Sequence, residues 1–193
     1  MRAILFLIIA LLGVGFYLIN EDKVEDVTVG SSKKVEDVAV DSSEKTEDKP
    51  PLMTPMTGVR TAPPIELPDS NGQAFNMEDY KGKYILVNFW AHWCGPCVKE
   101  FPAMQTLYDA LKEDGFEIIA VHAGPPQGRV RPFLKKHNIT FKTVLDADMS
   151  AHGWDVPVLP VSYLINPEGK LVYKALGPRD WEIESMRALM TEK

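Results

Sequence analysis

Between residues 62 and 190 the apolar positions change period several times, and each change marks an element. "KYILVNFW" (83–90) is a continuous apolar run of strand length, the pattern of a central strand buried on both faces. Apolar residues then fall at three-and-four spacing, at Val98, Phe101, Met104, Leu107, Tyr108 and Leu111, which predicts a helix over 95–113 that stops at Gly115. "FEIIAVHA" (116–123) is a second buried strand, followed by a Gly/Pro loop, "GPPQG", and a basic helix around Arg129 to His137. Thr140 to Leu145 reads as a short extended piece. "PVSYLINPEGKLVYKAL" alternates as two antiparallel strands turning at Asn166–Gly169, and "RDWEIESMRALM" has the period of an amphipathic terminal helix. Ahead of all these, "PIELPDSNGQAF" carries the hairpin turn signal Ser70-Asn71-Gly72 between two short strands. The predicted order is a β-hairpin, β-α-β-α, then β-β-α. It predicts an α/β domain with a mixed parallel and antiparallel sheet and helices on both faces.

The first sixty residues follow other rules. From Ala3 to Ile19 the chain is apolar and uncharged, long enough as a helix to cross about 25 Å of hydrocarbon. A signal peptide should close on small residues, but the bulky Phe16-Tyr17-Leu18-Ile19 follow Gly13 and Gly15. Residues 1–20 therefore read as an uncleaved anchor, with cleavage after residues 13 to 20 as the alternative. Arg2 precedes the run and Glu21 and Asp22 follow it, which puts the amino terminus in the cytoplasm and the rest outside. Next comes a low-complexity stretch in which "KVEDV" at Lys23 recurs at Lys34 and decays at Lys45. It lacks aromatics, so it buries too little apolar surface to offset the entropy of ordering. With the Pro-rich "KPPLMTPMTGVRTAPP" it makes residues 21–61 a flexible acidic tether, leaving 62–193 as the folded domain.

Composition narrows the chemistry. The 193 residues fit one domain plus extras. A net charge of −6, with no Lys/Arg stripe interleaved with aromatics, argues against nucleic acid as a partner. Two cysteines cannot form a disulfide framework, so stability has to come from the core.

Those two cysteines stand in "NFWAHWCGPCVKEFP" (88–102). Cys94 falls where a buried strand ends and a helix begins, so its sulfur meets unsatisfied N–H groups and the positive end of the helix dipole, which favours thiolate. Gly95 and Pro96 lie between the sulfurs, and Pro96 stiffens the first turn at a position where its missing N–H costs nothing. Cys97, one turn in, is the buried resolving thiol. Trp90 reads as core at the strand end and Trp93 as a flat apolar wall beside the thiols. His92 either adds positive charge near Cys94 in mild acid or is an exposed histidine without a role. Rival readings of the pair are a zinc site, for which a second cysteine pair is absent, and a structural disulfide that never cycles.

The stretch from Ala62 to Met190, through "VNFWAHWCGPC", "VLPVSYLINPEGKLV" and "GPRDW", resembles the membrane-anchored, extracytoplasmic thioredoxin-like proteins of the TlpA/ResA/DsbE group. The resemblance implies a thioredoxin-like fold with an N-terminal β-hairpin and an inserted helix-strand element. It implies a thiol-disulfide oxidoreductase with no bound cofactor beyond the redox-active Cys94–Cys97 disulfide. Glu100 matches the family's buried acidic proton acceptor for Cys97. Pro160 matches its cis-proline, which presents the backbone of Leu159 for strand-like pairing with an extended substrate; Pro157 reads as an ordinary loop proline. The Gly-Pro pair between the cysteines is that of reducing members. The implied partners are extracytoplasmic protein disulfides, with apocytochrome c the family's favourite, and a membrane thiol transporter as electron donor. A copper-delivery module and a thiol peroxidase on the same fold are the alternatives. The first has one more residue between its cysteines, and the second needs an isolated attacking cysteine.

Overall fold

The computed structural model describes residues 51–150 and 153–191; the apolar run and the repeat-bearing stretch read above lie outside them. Among the described residues no helix is long and apolar enough to cross a membrane.

Among the described residues, eight strands and three α-helices follow one another as β1 (Thr54–Thr61), β2 (Glu66–Pro68), β3 (Ala74–Asn76), β4 (Tyr84–Trp90), α1 (Gly95–Leu111), β5 (Phe116–Ala123), α2 (Val130–Lys136), β6 (Lys142–Asp146), β7 (Val161–Ile165), β8 (Lys170–Leu176) and α3 (Ile183–Thr191). Six strands form one sheet in the order β1-β8-β7-β4-β5-β6, and β2 and β3 pair antiparallel as a separate hairpin. The β4–β5 and β5–β6 pairs are parallel, whereas β4–β7, β7–β8 and β1–β8 are antiparallel. The mixed sheet, the hairpin and the α2–β6 insertion are those the sequence predicts.

Two differences have physical reasons. Residues 54–61, read from their prolines as tether, form the edge strand β1 against β8. An edge tolerates Pro55 because one side of the strand needs no ladder bond, and the register shift between Pro55 and Arg60 absorbs Gly58 at φ +81°. Met53 just before it is buried in the core, so the folded unit includes residues ahead of Ala62, where its apolar periodicity sets in. Second, helices do not cover both faces alike. All three α-helices contribute to one core cluster, with Leu86, Trp90, Phe101, Met104, Leu107, Leu134 and Met186 among its members. The opposite face, with Val87, Phe89, Val121 and Tyr163, packs against Phe75 of the hairpin, Met77 of the following 3₁₀ turn and Trp154.

Strand parity then decides what faces the helices. On β4, Leu86 and Trp90 belong to the helix-side cluster while Ile85, Val87 and Phe89 belong to the other. Asn88 shares the parity of Leu86 and Trp90, so it points toward α1. On β5 the same rule puts His122 with Ile118 and Ala120 on the helix side.

Candidate functional site

The strand β4 delivers the chain to a turn closed by the Cys94 N–H donating to the Ala91 carbonyl, 3.0 Å. Helix α1 begins at the next residue. Cys94 is its N-cap, in extended conformation, and its Sγ accepts from the Cys97 N–H at 3.4 Å. One of the orphan donors of the helix start thus points at this sulfur, an arrangement that stabilises a thiolate when the bond is open. Pro96 sits in the first turn, where no N–H is needed. Cys94 and Cys97 are joined as a disulfide with their Cα atoms 5.3 Å apart. Cys94 is 8 % exposed and Cys97 fully buried, so reagents in solvent reach the first sulfur before the second. Gly95 and Pro96, by contrast, are exposed.

Trp93 is 61 % exposed at the tip of the turn, whereas Trp90 is fully buried, with its ring centroid 4.3 Å from that of Phe101. The Leu159–Pro160 bond is cis, and it is the one cis peptide among the described residues; Pro157 is an exposed loop residue. Leu159 is half-buried against the core and Pro160 is buried, its carbonyl accepting from the Gly177 N–H at 2.8 Å.

Glu100 is the group whose environment departs furthest from its sequence context. Flanked by the exposed Lys99, it nonetheless faces the interior from α1 and is 5 % exposed. Asn88 Nδ2 donates to its Oε1 at 3.0 Å and the Arg179 backbone N–H donates to its Oε2 at 3.2 Å. The Trp181 indole N–H stands near enough to favour the carboxylate but makes no hydrogen bond of good geometry. Burial outweighs these donors and pushes the carboxyl up to about 7. A group half-ionised near neutrality, one helical turn beyond Cys97, can accept a proton from that thiol. An open cavity of about 680 Å³, lined by Leu52, Pro96, Lys99, Glu100, Arg179 and Ser185, connects the carboxyl with solvent beside the dithiol.

The structure thus brings together Cys94, Cys97 and Glu100 on one helix, with Trp93, Gly95 and Pro96 around them, and places Leu159 and Pro160 on the loop entering β7. It adds residues the sequence reading passed over. Asn88 Nδ2 also donates to Ser162 Oγ at 2.9 Å, from the directly opposed position on β7. Arg179 braces the site from outside, its Nε donating to the Leu52 carbonyl at 3.0 Å. His122, fully buried, touches His92. The signal for two of these was an amide in "YILVNFW" and an imidazole in "FEIIAVHA", polar side chains inside otherwise apolar strands.

The AhpC/TSA family model matches residues 59–174, more than half of the chain. The thiol-disulfide oxidoreductase ResA of Bacillus subtilis is 44% identical over 117 residues, a match that covers 60% of this chain and 65% of that protein. Among solved structures, the thiol:disulfide interchange protein DsbE of Chlorobium tepidum superposes with a TM-score of 0.62 at 30% identity, over 68% of this chain and 94% of that one. StoA of Bacillus subtilis gives 0.56 at 28% identity, over 69% of this chain and 100% of that one. With the cysteine pair capping α1, the cis-proline before β7 and the hairpin and insertion in place, these matches fix the assignment: the chain belongs to the AhpC/TSA family of thioredoxin-like proteins, in the TlpA/ResA/DsbE group of thiol-disulfide oxidoreductases.

Proposed function

We propose that this thiol-disulfide oxidoreductase works as a reductase of protein disulfides outside the cytoplasm. In its reduced form Cys94, as thiolate, attacks one sulfur of a substrate disulfide. A mixed disulfide forms and the other substrate sulfur leaves as a thiolate that takes a proton from water. Glu100, ionised, removes the Cys97 proton. Cys97 then attacks the Cys94 sulfur, the second substrate thiolate leaves, and two electrons have passed from the dithiol to the substrate. The Cys94–Cys97 disulfide of this structure is the end state of that cycle. The observation that carries the reading is the pairing of a helix-capping, more accessible cysteine with a buried one that has a carboxyl titrating near neutrality a turn away.

Trp93, Gly95, Pro96 and Leu159 form the surface an extended substrate meets. The redox centre is the cysteine pair itself, with no further cofactor. Residues 1–20 anchor the chain in the cell membrane of a bacterium and the stretch from residue 21 up to Leu52, where the folded domain is already joined, holds that domain away from the bilayer, the charge asymmetry around the apolar run supporting an outward-facing domain. In that oxidising setting a reductase needs electrons, and a membrane thiol transporter is the donor that fits. Apocytochrome c disulfides are the substrate that the family resemblance favours, and the Gly-Pro dipeptide between the cysteines supports the reducing direction.

The midpoint potential in glutathione buffers tests the direction. A value near the roughly −270 mV of thioredoxin supports reduction, and one near the roughly −120 mV of the strong oxidant DsbA overturns it. Reduction of a Cys-x-x-Cys-His peptide disulfide by the reduced protein, compared with consumption of peroxide and with stoichiometric copper binding, separates this reading from the peroxidase and metal-delivery alternatives.

A further inference from the structure

Two histidines meet beside the dithiol in an arrangement the redox chemistry above does not use. His122 stands at the end of β5, opposite Trp90 in the last step of the β4–β5 ladder, and is fully buried. Its Nδ1 lies 3.1 Å from the Gly124 carbonyl oxygen, an atom that only accepts, so this nitrogen carries the proton and Nε2 is left as an acceptor. Both N–H groups of His92 converge on that Nε2, the backbone N–H at 3.3 Å and ring Nδ1 at 2.9 Å, with the two rings within 8° of parallel. Burial, with the neighbouring His92 ring adding to it, holds the His122 imidazole down to about 4 against the opposing pull of Gly124, so it remains a neutral acceptor at physiological pH. The Trp90 ring stands edge-on to His122 with centroids 5.1 Å apart, and among the described residues no carboxylate, lysine or arginine hydrogen-bonds to either imidazole.

The position of the bond gives it a consequence. His92 is the second residue of the Ala91–Cys94 turn, and β4 has already ended at Trp90. Beyond that point no strand carbonyl of β5 is paired with the turn; the imidazole of His122 stands in for one and ties the chain to β5 two residues ahead of the sulfur. The field of a helix start falls off within about one turn, so a Cys94 sulfur that strays from the axis of α1 loses part of what stabilises its thiolate.

We infer that His122 is a positioning residue for the nucleophilic thiol: by accepting both N–H groups of His92 it clamps the Ala91–Cys94 turn and keeps the Cys94 sulfur at the N-terminus of α1. The inference rests on Cys94 being the attacking cysteine. It is tested on the full-length protein carrying Cys97→Ser, in which one thiol remains, by the rate of iodoacetamide alkylation as a function of pH, with thermal melting alongside. His122→Leu removes the acceptor. It should raise the pH at which Cys94 becomes reactive by about one unit, so that alkylation at pH 6 slows roughly tenfold while the high-pH plateau is kept. His122→Gln, whose amide can accept from His92 and donate to Gly124, should restore most of the reactivity. His92→Ala, at a half-exposed position and leaving the backbone N–H in place, should give a smaller shift in the same direction.

A His122→Leu protein that melts earlier but keeps the original pH profile overturns the inference, because the histidine is then merely structural. A shift that His122→Gln fails to reverse overturns it as well, since the hydrogen bonds are then not the cause. If His122→Leu does not fold, His92→Ala decides, and an unmoved profile sinks the proposal. Failure of the underlying reading is a separate result: with both cysteines present and reduced, Cys94 would alkylate no faster than Cys97.

Discussion

Replacing Glu100 by Gln removes a buried carboxyl beside the dithiol, and its thermodynamic effect can be worked out. In the folded protein the carboxyl is pushed from 4.5 up to about 7, chiefly by burial. Each pKa unit corresponds to about 1.36 kcal/mol, so ionised Glu100 costs the fold about 3 kcal/mol relative to the protonated form. The folded-state value is the raised one, so the stability this group contributes is whole below about 4.5 and is lost as pH climbs toward 7. Glu100→Gln cannot ionise and lacks that loss. Its amide presents one acceptor oxygen where Asn88 and the Arg179 N–H now use two, which lowers stability by about 1 kcal/mol at every pH. The expected result is two curves that cross. The variant is slightly less stable near pH 4.5 and more stable by about 2 kcal/mol above pH 7.5. Urea unfolding of the oxidised protein from pH 4.5 to 8.5 measures this, with the disulfide intact so that neither thiol titrates. Other carboxylates contribute equally to both proteins, and the difference curve isolates Glu100. Parallel curves would refute the reasoning, because Glu100 would then ionise as freely folded as unfolded.

Further expectations follow from the same geometry. Cys97→Ser should accumulate a covalent adduct with a substrate disulfide, visible by mass spectrometry under non-reducing conditions, while Cys94→Ser should give none; the opposite pattern would exchange the roles of the sulfurs. Asn88→Ala removes a donor from the carboxylate and should push the Glu100 carboxyl above about 7, followed by carbon NMR of the side chain, at a stability change of about 1 kcal/mol. Arg179→Ala keeps the backbone N–H that Glu100 uses but loses the 3.0 Å bond to the Leu52 carbonyl. It should cost about 1 kcal/mol and speed amide exchange at residues 52–54, and unchanged exchange there would show that the segment is held by Met53 alone.

The family relation could be recognised from short motifs because they encode local requirements. A buried strand, a turn and a capped helix around Cys-Gly-Pro-Cys put the first sulfur at a helix end in any protein that folds this way, and Cys94 lies there. Apolar periodicity likewise predicts β4, α1, β5, β7, β8 and α3, and Gly115 closes the 3₁₀ turn after α1 in the left-handed region at φ +79°. Periodicity misses β1, because an edge strand that shares its composition with a spacer is defined by its partner, β8.

What the sequence alone determined is therefore the order of the elements from the hairpin onward and the place of the cysteine pair at a strand-to-helix turn, both governed by residues near one another in the chain. Only the tertiary structure decided the environment of those sulfurs. Glu100 reads along the chain as a solvated neighbour of Lys99; it becomes a buried carboxyl titrating near neutrality because α1 turns it onto Asn88, twelve residues before it, and onto the backbone N–H of Arg179, seventy-nine after. His122 meets His92 across thirty residues for the same reason. Desolvation and hydrogen bonding depend on what lies within a few ångströms in space, and side chains that far apart in the chain become neighbours only when the sheet closes.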